Sequence, residues 1–155
     1  MLSRRRLLAS AAATGIAAFA SKAIARQAAP TAPRSLTGQV DPMIGTGGHG
    51  HVYPGASVPF GMVQLSPDTD NARWDASSGY YYADTTLLGF SHTHLSGTGV
   101  GDLMDLLVMP FTGDVHLNPG TLGAPENSHR VHLDHAKETA VPGYYRLDLD
   151  SGIRC

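Results

Sequence analysis

From Val40 to the end of the chain, apolar residues occur in short runs separated by turn residues, and no run keeps a helical period over three turns. Such short runs, bounded by Gly, Pro, Asn and Asp, are typical of strands. The pattern predicts strands at residues 58–65, 79–82, 87–91, 106–111, 114–117, 131–133, 136–140 and 144–149. We therefore expect an all-β domain, built as an antiparallel β-sandwich.

The last two predicted strands form the clearest local element. Val141-Pro142-Gly143 supplies a tight turn between them. Beyond the turn, Tyr145, Leu147 and Leu149 stand at every second position, which places them on one face of a strand. This spacing predicts a β-hairpin with one apolar face.

Residues 1–25 have the layout of a twin-arginine signal peptide, predicted to be helical. Arg4 and Arg5 precede an apolar run that extends to Ala20, and small residues follow up to Ala25, near which we expect cleavage. The run is shorter than the roughly 20 residues that a membrane-spanning helix needs. We expect a periplasmic or secreted protein that has no membrane partner once the signal is removed.

Residues 26–38 are rich in Pro, Ala and Thr and are predicted to form a disordered linker. The folded domain is predicted at 39–155. The new apolar run that begins at Ile153 stops at the end of the chain, so we expect the domain to be incomplete at its carboxyl terminus, with some strands lacking partners.

Charge and cysteine content exclude two classes of function. Without the signal, the chain has seven basic and thirteen acidic side chains, which gives a formal charge of −6. No basic cluster is present, which argues against nucleic acid as a partner. Cys155 is the single cysteine, so the chain can form neither an internal disulfide nor a cysteine-based metal site.

Two segments contain alternating histidines. Residues 45–56 combine several glycines with His49 and His51, which could bind metal or lie in a flexible turn. On a strand, His92 and His94 would point to the same face, as two ligands of one zinc ion do, but they could equally form hydrogen bonds to substrate or to a neighbouring loop.

Trp74 and Asp75 are a candidate sugar platform. Aromatic rings stack on the C–H faces of sugars, and a neighbouring carboxylate accepts hydroxyl hydrogen bonds. The alternative is that Trp74, the single tryptophan of the chain, is a core residue.

Several long motifs closely resemble the amino-terminal domain of glycoside hydrolase family 92, a family of exo-acting bacterial α-mannosidases. The motifs are VDPMIGTGGHGH at 40–51, YPGA at 53–56, PFGMVQLSPD at 59–68, Trp74-Asp75 with Ser78-Gly79-Tyr80, and GFSHTHLSGTG at 89–99. The chain departs from the family pattern at Ser77, where Cys is frequent, and in the spacing of Val100-Gly101-Asp102.

The resemblance implies a β-sandwich packed on a carboxy-terminal (α/α)6 barrel, with the mannoside pocket between them. Family members are calcium-dependent and inverting, and the barrel supplies most calcium ligands, a Glu acid and an Asp base. Trp74, Asp75, His92 and His94 are carried over as substrate-binding groups for mannose-containing glycans such as N-glycans and mannans.

Neither glutamate of the chain resembles a catalytic acid. Glu126 lies in a predicted turn, and Glu138 is expected to form a solvated pair with Lys137. We therefore expect no catalytic residue in this chain and no activity from the chain alone. Two alternatives stay open: a stand-alone carbohydrate-binding module, and a small zinc hydrolase that uses the alternating histidines.

Overall fold

The computed structural model describes residues 35–58, 61–70, 72–122 and 127–155. The predicted signal peptide and linker residues 26–34 lie outside this described part. Linker residues 35–38 are exposed, and Thr37 begins a short 3-10 helix, Thr37–Gln39.

Among the described residues, six short strands pair antiparallel in three two-stranded ladders, which confirms the predicted all-β class. The strands are β1 (Ser66–Asp68), β2 (Thr86–Leu87), β3 (Gly89–Ser91), β4 (Val131–His132), β5 (Glu138–Val141) and β6 (Tyr144–Leu147). β1 pairs with β3, β2 with β4, and β5 with β6. Two further 3-10 helices are Trp74–Ala76 and His135–Lys137. No helix in the described part is long and apolar enough to cross a membrane.

The predicted hairpin is confirmed. Val141 pairs with Tyr144 across a two-residue turn, in which Gly143 takes a φ of 78° that a residue with a side chain rarely adopts. Leu147 and Leu149 are buried, as the alternation predicts. They join a core whose other buried members are Tyr80, Leu87 and Leu133.

The last residues of the chain pair with β6. Leu147 and Cys155 exchange two backbone hydrogen bonds, of 3.0 and 2.9 Å, and Asp148 bridges to Arg154. The run that begins at Ile153 therefore has a partner strand within this chain, in contrast to the expectation of an unpaired end.

Four predicted strands are wrong in position or absent. Residues 79–82 and residues 114–117 form no strand. The run 58–65, of which 59–60 are not described, lies before β1, which begins at Ser66. Within 106–111 the only strand-like feature is the bridge between Phe90 and Val108. Positive φ angles at residues 103, 104 and 106 interrupt the extended backbone before that bridge. A further predicted strand, 136–140, begins as a 3-10 helix.

Candidate functional site

Trp74 is a half-exposed ring held between two histidines. It begins the 3-10 helix Trp74–Ala76 and exposes 55% of its surface, so the alternative of a core tryptophan is wrong. The rings of His51 and Trp74 meet edge-on at 4.4 Å, and the ring of His49 lies 5.0 Å away, tilted by 50°. The glycine-rich segment and the tryptophan loop, separate in sequence, thus form one surface.

The loop at residues 97–99 approaches the indole at Nε1. A Cβ on Gly99 would lie 2.9 Å from Nε1 of Trp74, so this close approach requires glycine. The carbonyl oxygen of Thr98 accepts hydrogen bonds from Oγ of Ser77, at 2.8 Å, and from Nδ1 of His51. Segments 49–51, 74–77 and 97–99, named here the tryptophan clamp, are therefore tied together around Trp74.

Asp75 holds the outer histidine of the tryptophan clamp. Nδ1 of His49 donates to Oδ1 of Asp75 over 2.7 Å. The carboxylate therefore orients an imidazole instead of standing free beside the tryptophan.

Arg73 fixes the backbone immediately before Trp74. Its guanidinium donates to Asp70 and to Asp84, each over 2.5 Å, and lies 5.2 Å from the ring centre of Tyr81. Charge-assisted hydrogen bonds of this kind limit the movement of the loop that carries the indole.

His94 is almost completely buried, with 2% of its surface exposed. Its Nδ1 donates to the carbonyl oxygen of Gln64 over 2.6 Å, and its Nε2 contacts Oδ1 of Asp68 at 2.8 Å and Oγ of Ser91 at 3.1 Å. Both ring nitrogens are therefore engaged by oxygen atoms of the protein. His94 thus has all its hydrogen bonds within the protein and no surface for a ligand.

His92 lies apart from the tryptophan clamp. Its Nδ1 donates to the carbonyl oxygen of Leu106 over 2.8 Å, and its ring lines a mostly apolar cavity of about 480 Å³ together with Phe90 and Tyr145. Of the alternatives for His92 and His94, the structure shows hydrogen bonds to neighbouring segments and not a shared strand face, because β3 ends at Ser91.

Glu138 is a buried anchor, so its interpretation as a solvated partner of Lys137 is wrong. Its side chain is 4% exposed and accepts hydrogen bonds from the hydroxyls of Tyr80 and Tyr145 and from Nδ1 of His135, at 2.6 to 3.0 Å. Burial, and next the Glu138 charge, raise the pKa of both tyrosines. Lys137 instead contacts Asp150 at 2.5 Å.

The described residues contain no group of three or more His, Cys, Asp or Glu side chains that could hold a metal ion. Nδ1 of His51 is used by Thr98 and Nδ1 of His49 by Asp75, while His92 and His94 bind separate carbonyl groups. The two alternating-histidine segments therefore do not converge on one ion. Glu126, the other glutamate considered above, lies outside the described residues.

The predicted site residues Trp74 and Asp75 lie together with His49 and His51, which were not among the predicted site residues. The glycine spacing of 45–50 and 97–99 was the available signal, because several glycines close to a histidine allow loops to approach an aromatic ring. The sequence around Asp68 does not show that this residue is buried against His94, because the two residues are 26 positions apart.

Comparison with known families gives one match over most of the chain. The sequence model described as "Glycosyl hydrolase family 92 N-terminal domain" matches residues 39–155. An uncharacterized secreted glycosidase of Arthroderma benhamiae is 34% identical over 116 residues, which is 74% of this chain and 14% of the relative.

Solved structures agree with the sequence match. The GH92 α-mannosidase BT3965 of Bacteroides thetaiotaomicron, solved with mannoimidazole, is 52% identical with a TM-score of 0.75, over 78% of this chain and 16% of that protein. The inverting GH92 mannosidase BT2199 of the same species is 25% identical with a TM-score of 0.57, over 80% and 16%. This chain thus spans about one sixth of the length of these relatives.

Proposed function

Because this chain belongs to glycosyl hydrolase family 92 and matches its N-terminal domain, we propose that it forms the substrate-contacting domain of an exported α-mannosidase. Its substrates are terminal α-mannosides of glycans such as N-glycans and mannans, and hydrolysis proceeds with inversion. The observation that carries this proposal is the exposed indole of Trp74, flanked by His49 and Asp75.

The tryptophan clamp suits a sugar ring. The exposed indole offers an apolar face to the C–H groups of a pyranose, and the adjacent His49–Asp75 pair offers polar atoms to its hydroxyls. Trp74 and Asp75 are the proposed pocket groups, with Asp75 acting through His49. His92 is proposed at the rim, on the side of its own cavity, and His94 contributes by holding the loops beneath.

The catalytic carboxylates belong to another domain in this proposal. Inverting hydrolysis needs a carboxylic acid to protonate the leaving oxygen and a carboxylate to activate water across the ring. Glu138 is enclosed by two tyrosines and a histidine, and Asp75 is occupied by His49. We therefore assign the acid and the base to a carboxy-terminal (α/α)6 barrel.

Calcium also belongs to that barrel in the proposed enzyme. The described part of this chain has no group of three or more His, Cys, Asp or Glu side chains that could hold the ion. We assign no step of the reaction to calcium through residues of this chain.

The segment after the tryptophan clamp is the proposed contact surface for the barrel. The segment that follows Gly99 contains three exposed apolar residues, Val100, Leu103 and Leu106. Exposed apolar patches mark interaction surfaces in proteins. Because the chain spans about one sixth of its relatives, a second domain is the occupant that we propose.

The test is a domain exchange with the Bacteroides α-mannosidase that is 52% identical. Residues 36–155 replace the matching segment of that enzyme, and release of mannose from an aryl α-mannoside is measured. We expect activity from the exchange protein and none from the chain alone. A folded exchange protein that binds mannosides without hydrolysing them would favour a stand-alone binding module, and hydrolysis by the chain alone would contradict the proposal.

A further inference from the structure

His49 has one ring nitrogen without a partner in the described structure. Nδ1 is bound to Asp75, but Nε2 forms no hydrogen bond with any described residue, and 74% of the side chain is exposed. The ring nevertheless has a defined orientation, because the carboxylate holds one nitrogen and the indole of Trp74 lies 5.0 Å away. An exposed histidine held in this way is oriented for a contact outside the protein.

The tautomer of the neutral ring follows from this contact. A carboxylate only accepts, so Nδ1 carries the hydrogen and Nε2 presents its lone pair to solvent. His49 therefore offers an oriented acceptor beside an aromatic face. A saccharide hydroxyl at the edge of a stacked ring is a donor that fits this arrangement.

The other histidine of the tryptophan clamp cannot take this role. Nδ1 of His51 is bound to Thr98, and its Nε2 is buried beneath the surface without a partner in the described part of the chain. Of the two imidazoles that touch Trp74, His49 alone presents a nitrogen at the surface.

We propose that His49, oriented by Asp75, is a hydroxyl-binding residue of a saccharide subsite on Trp74, and that the tryptophan clamp builds this subsite without a second domain. The inference rests on the proposed function for the choice of a saccharide as ligand. Beyond the proposed function, Asp75 orients the His49 ring, His49 binds a saccharide hydroxyl, and the subsite forms without the barrel. All segments of the clamp come from this chain, and their mutual contacts are formed within it.

The chain contains a suitable probe and a matched control. Trp74 is the single tryptophan, so intrinsic tryptophan fluorescence reports the clamp alone. His132 and Asp150 form a similar exposed pair, with Nδ1 and Oδ2 at 3.0 Å. Among the described residues this second pair has no tryptophan beside it.

The experiment titrates the full chain with α-mannobiose and follows Trp74 emission. Mannitol, which has no ring to stack, serves as the ligand control. We expect saturable binding of mannobiose, a Kd raised roughly three- to tenfold by His49→Ala, and a smaller rise for Asp75→Asn. His49→Gln, whose amide oxygen can replace Nε2, should recover part of the affinity, and His132→Ala should leave the Kd unchanged.

Two results would overturn the inference. One is an equal Kd for His49→Ala and the unmodified chain, with equal unfolding midpoints. The other is no emission change with mannobiose in the unmodified chain, which would show that the subsite needs the barrel. Neither result contradicts the proposed function, which is tested separately by hydrolysis in the domain exchange. Conversely, an inactive exchange protein would not contradict a measured effect of His49→Ala on mannobiose binding.

Discussion

Nε2 of His94 lies 2.8 Å from Oδ1 of Asp68, and both side chains are almost completely buried. The pair joins the end of β1 to the loop that follows β3. Gly79 packs closely against this pair, and a Cβ on Gly79 would lie 2.2 Å from Oδ1 of Asp68. The loop that contains Trp74 runs between Asp68 and Gly79, so this buried pair sets the base of the candidate site.

Removing one partner of the pair should destabilise the domain strongly. His94→Ala leaves the buried Asp68 side chain without this hydrogen-bond partner, and a buried polar group that loses its partner costs about 1–3 kcal/mol, or more when it is charged. We expect a large drop in the free energy of unfolding, measured by urea denaturation. His132→Ala, which breaks an exposed histidine–aspartate pair, should leave the free energy unchanged. Equal effects of the two substitutions would contradict the structural role of His94.

Gly79 should tolerate alanine less well than Gly143. Both residues have positive φ, 91° and 78°, so alanine meets backbone strain of about 1–2 kcal/mol at each. A Cβ meets Asp68 and His94 only at Gly79, because at Gly143 nothing lies within 4 Å. Overpacking should add about 1–3 kcal/mol to the destabilisation by Gly79→Ala. Thermal unfolding of both variants measures the difference, and identical midpoints would refute the close packing.

The stability of the domain should fall at alkaline pH. Burial and the Glu138 charge raise the pKa of Tyr80 and Tyr145, so the folded chain keeps phenol protons that the unfolded chain releases above its pKa of about 10. Their contribution is complete below pH 10 and declines above it, by up to about 1.4 kcal/mol per pH unit for each tyrosine. Cys155, whose pKa burial also raises, adds a decline of the same sign.

The comparison with Tyr145→Phe isolates the tyrosine effect, since both chains keep Cys155. The free energy of unfolding of the variant should decline less steeply between pH 10 and 11 than that of the unmodified chain. Parallel curves would show that Tyr145 ionises in the folded domain as it does in water.

Export should depend on the paired arginines. Replacing Arg4 and Arg5 with lysine in a fusion of residues 1–38 to a reporter should stop its export through the twin-arginine pathway, because lysine does not replace the arginine pair of that signal. Reporter activity in the periplasmic fraction gives the readout. Undiminished export of the double variant would reject the predicted pathway.

The sequence predicted features whose causes are local. The hairpin at residues 138–147 follows from alternation and a Pro-Gly turn, and both act over a few neighbouring positions. The exposed position of Trp74 agrees with one of the two alternatives that the sequence left open for this residue, and its role as a sugar platform stays a prediction. Strand positions between 103 and 117 were not, since left-handed backbone at Leu103 and Leu106 leaves no mark on the apolar pattern.

Features that depend on distant partners were missed. Glu138 looks exposed beside Lys137, but Tyr80, 58 positions earlier, supplies the donor that makes its burial possible. The same holds for His49, which reaches Asp75 across 26 positions. The partners that the fold brings to a polar residue determine whether it is a surface charge, a buried anchor or a ligand-binding group.

The value of kcat/KM for the domain-exchange enzyme tests whether Trp74 faces the mannoside pocket. Trp74→Ala should lower kcat/KM for an α-mannoside roughly ten- to a hundredfold, because about 1–3 kcal/mol of stacking and orientation is lost in the transition state. Tyr144→Ala, which removes another exposed aromatic residue at the hairpin turn, serves as the control and should keep the unmodified rate. An unchanged kcat/KM for a folded Trp74→Ala enzyme would show that the pocket lies on other loops and would contradict the proposed role of Trp74.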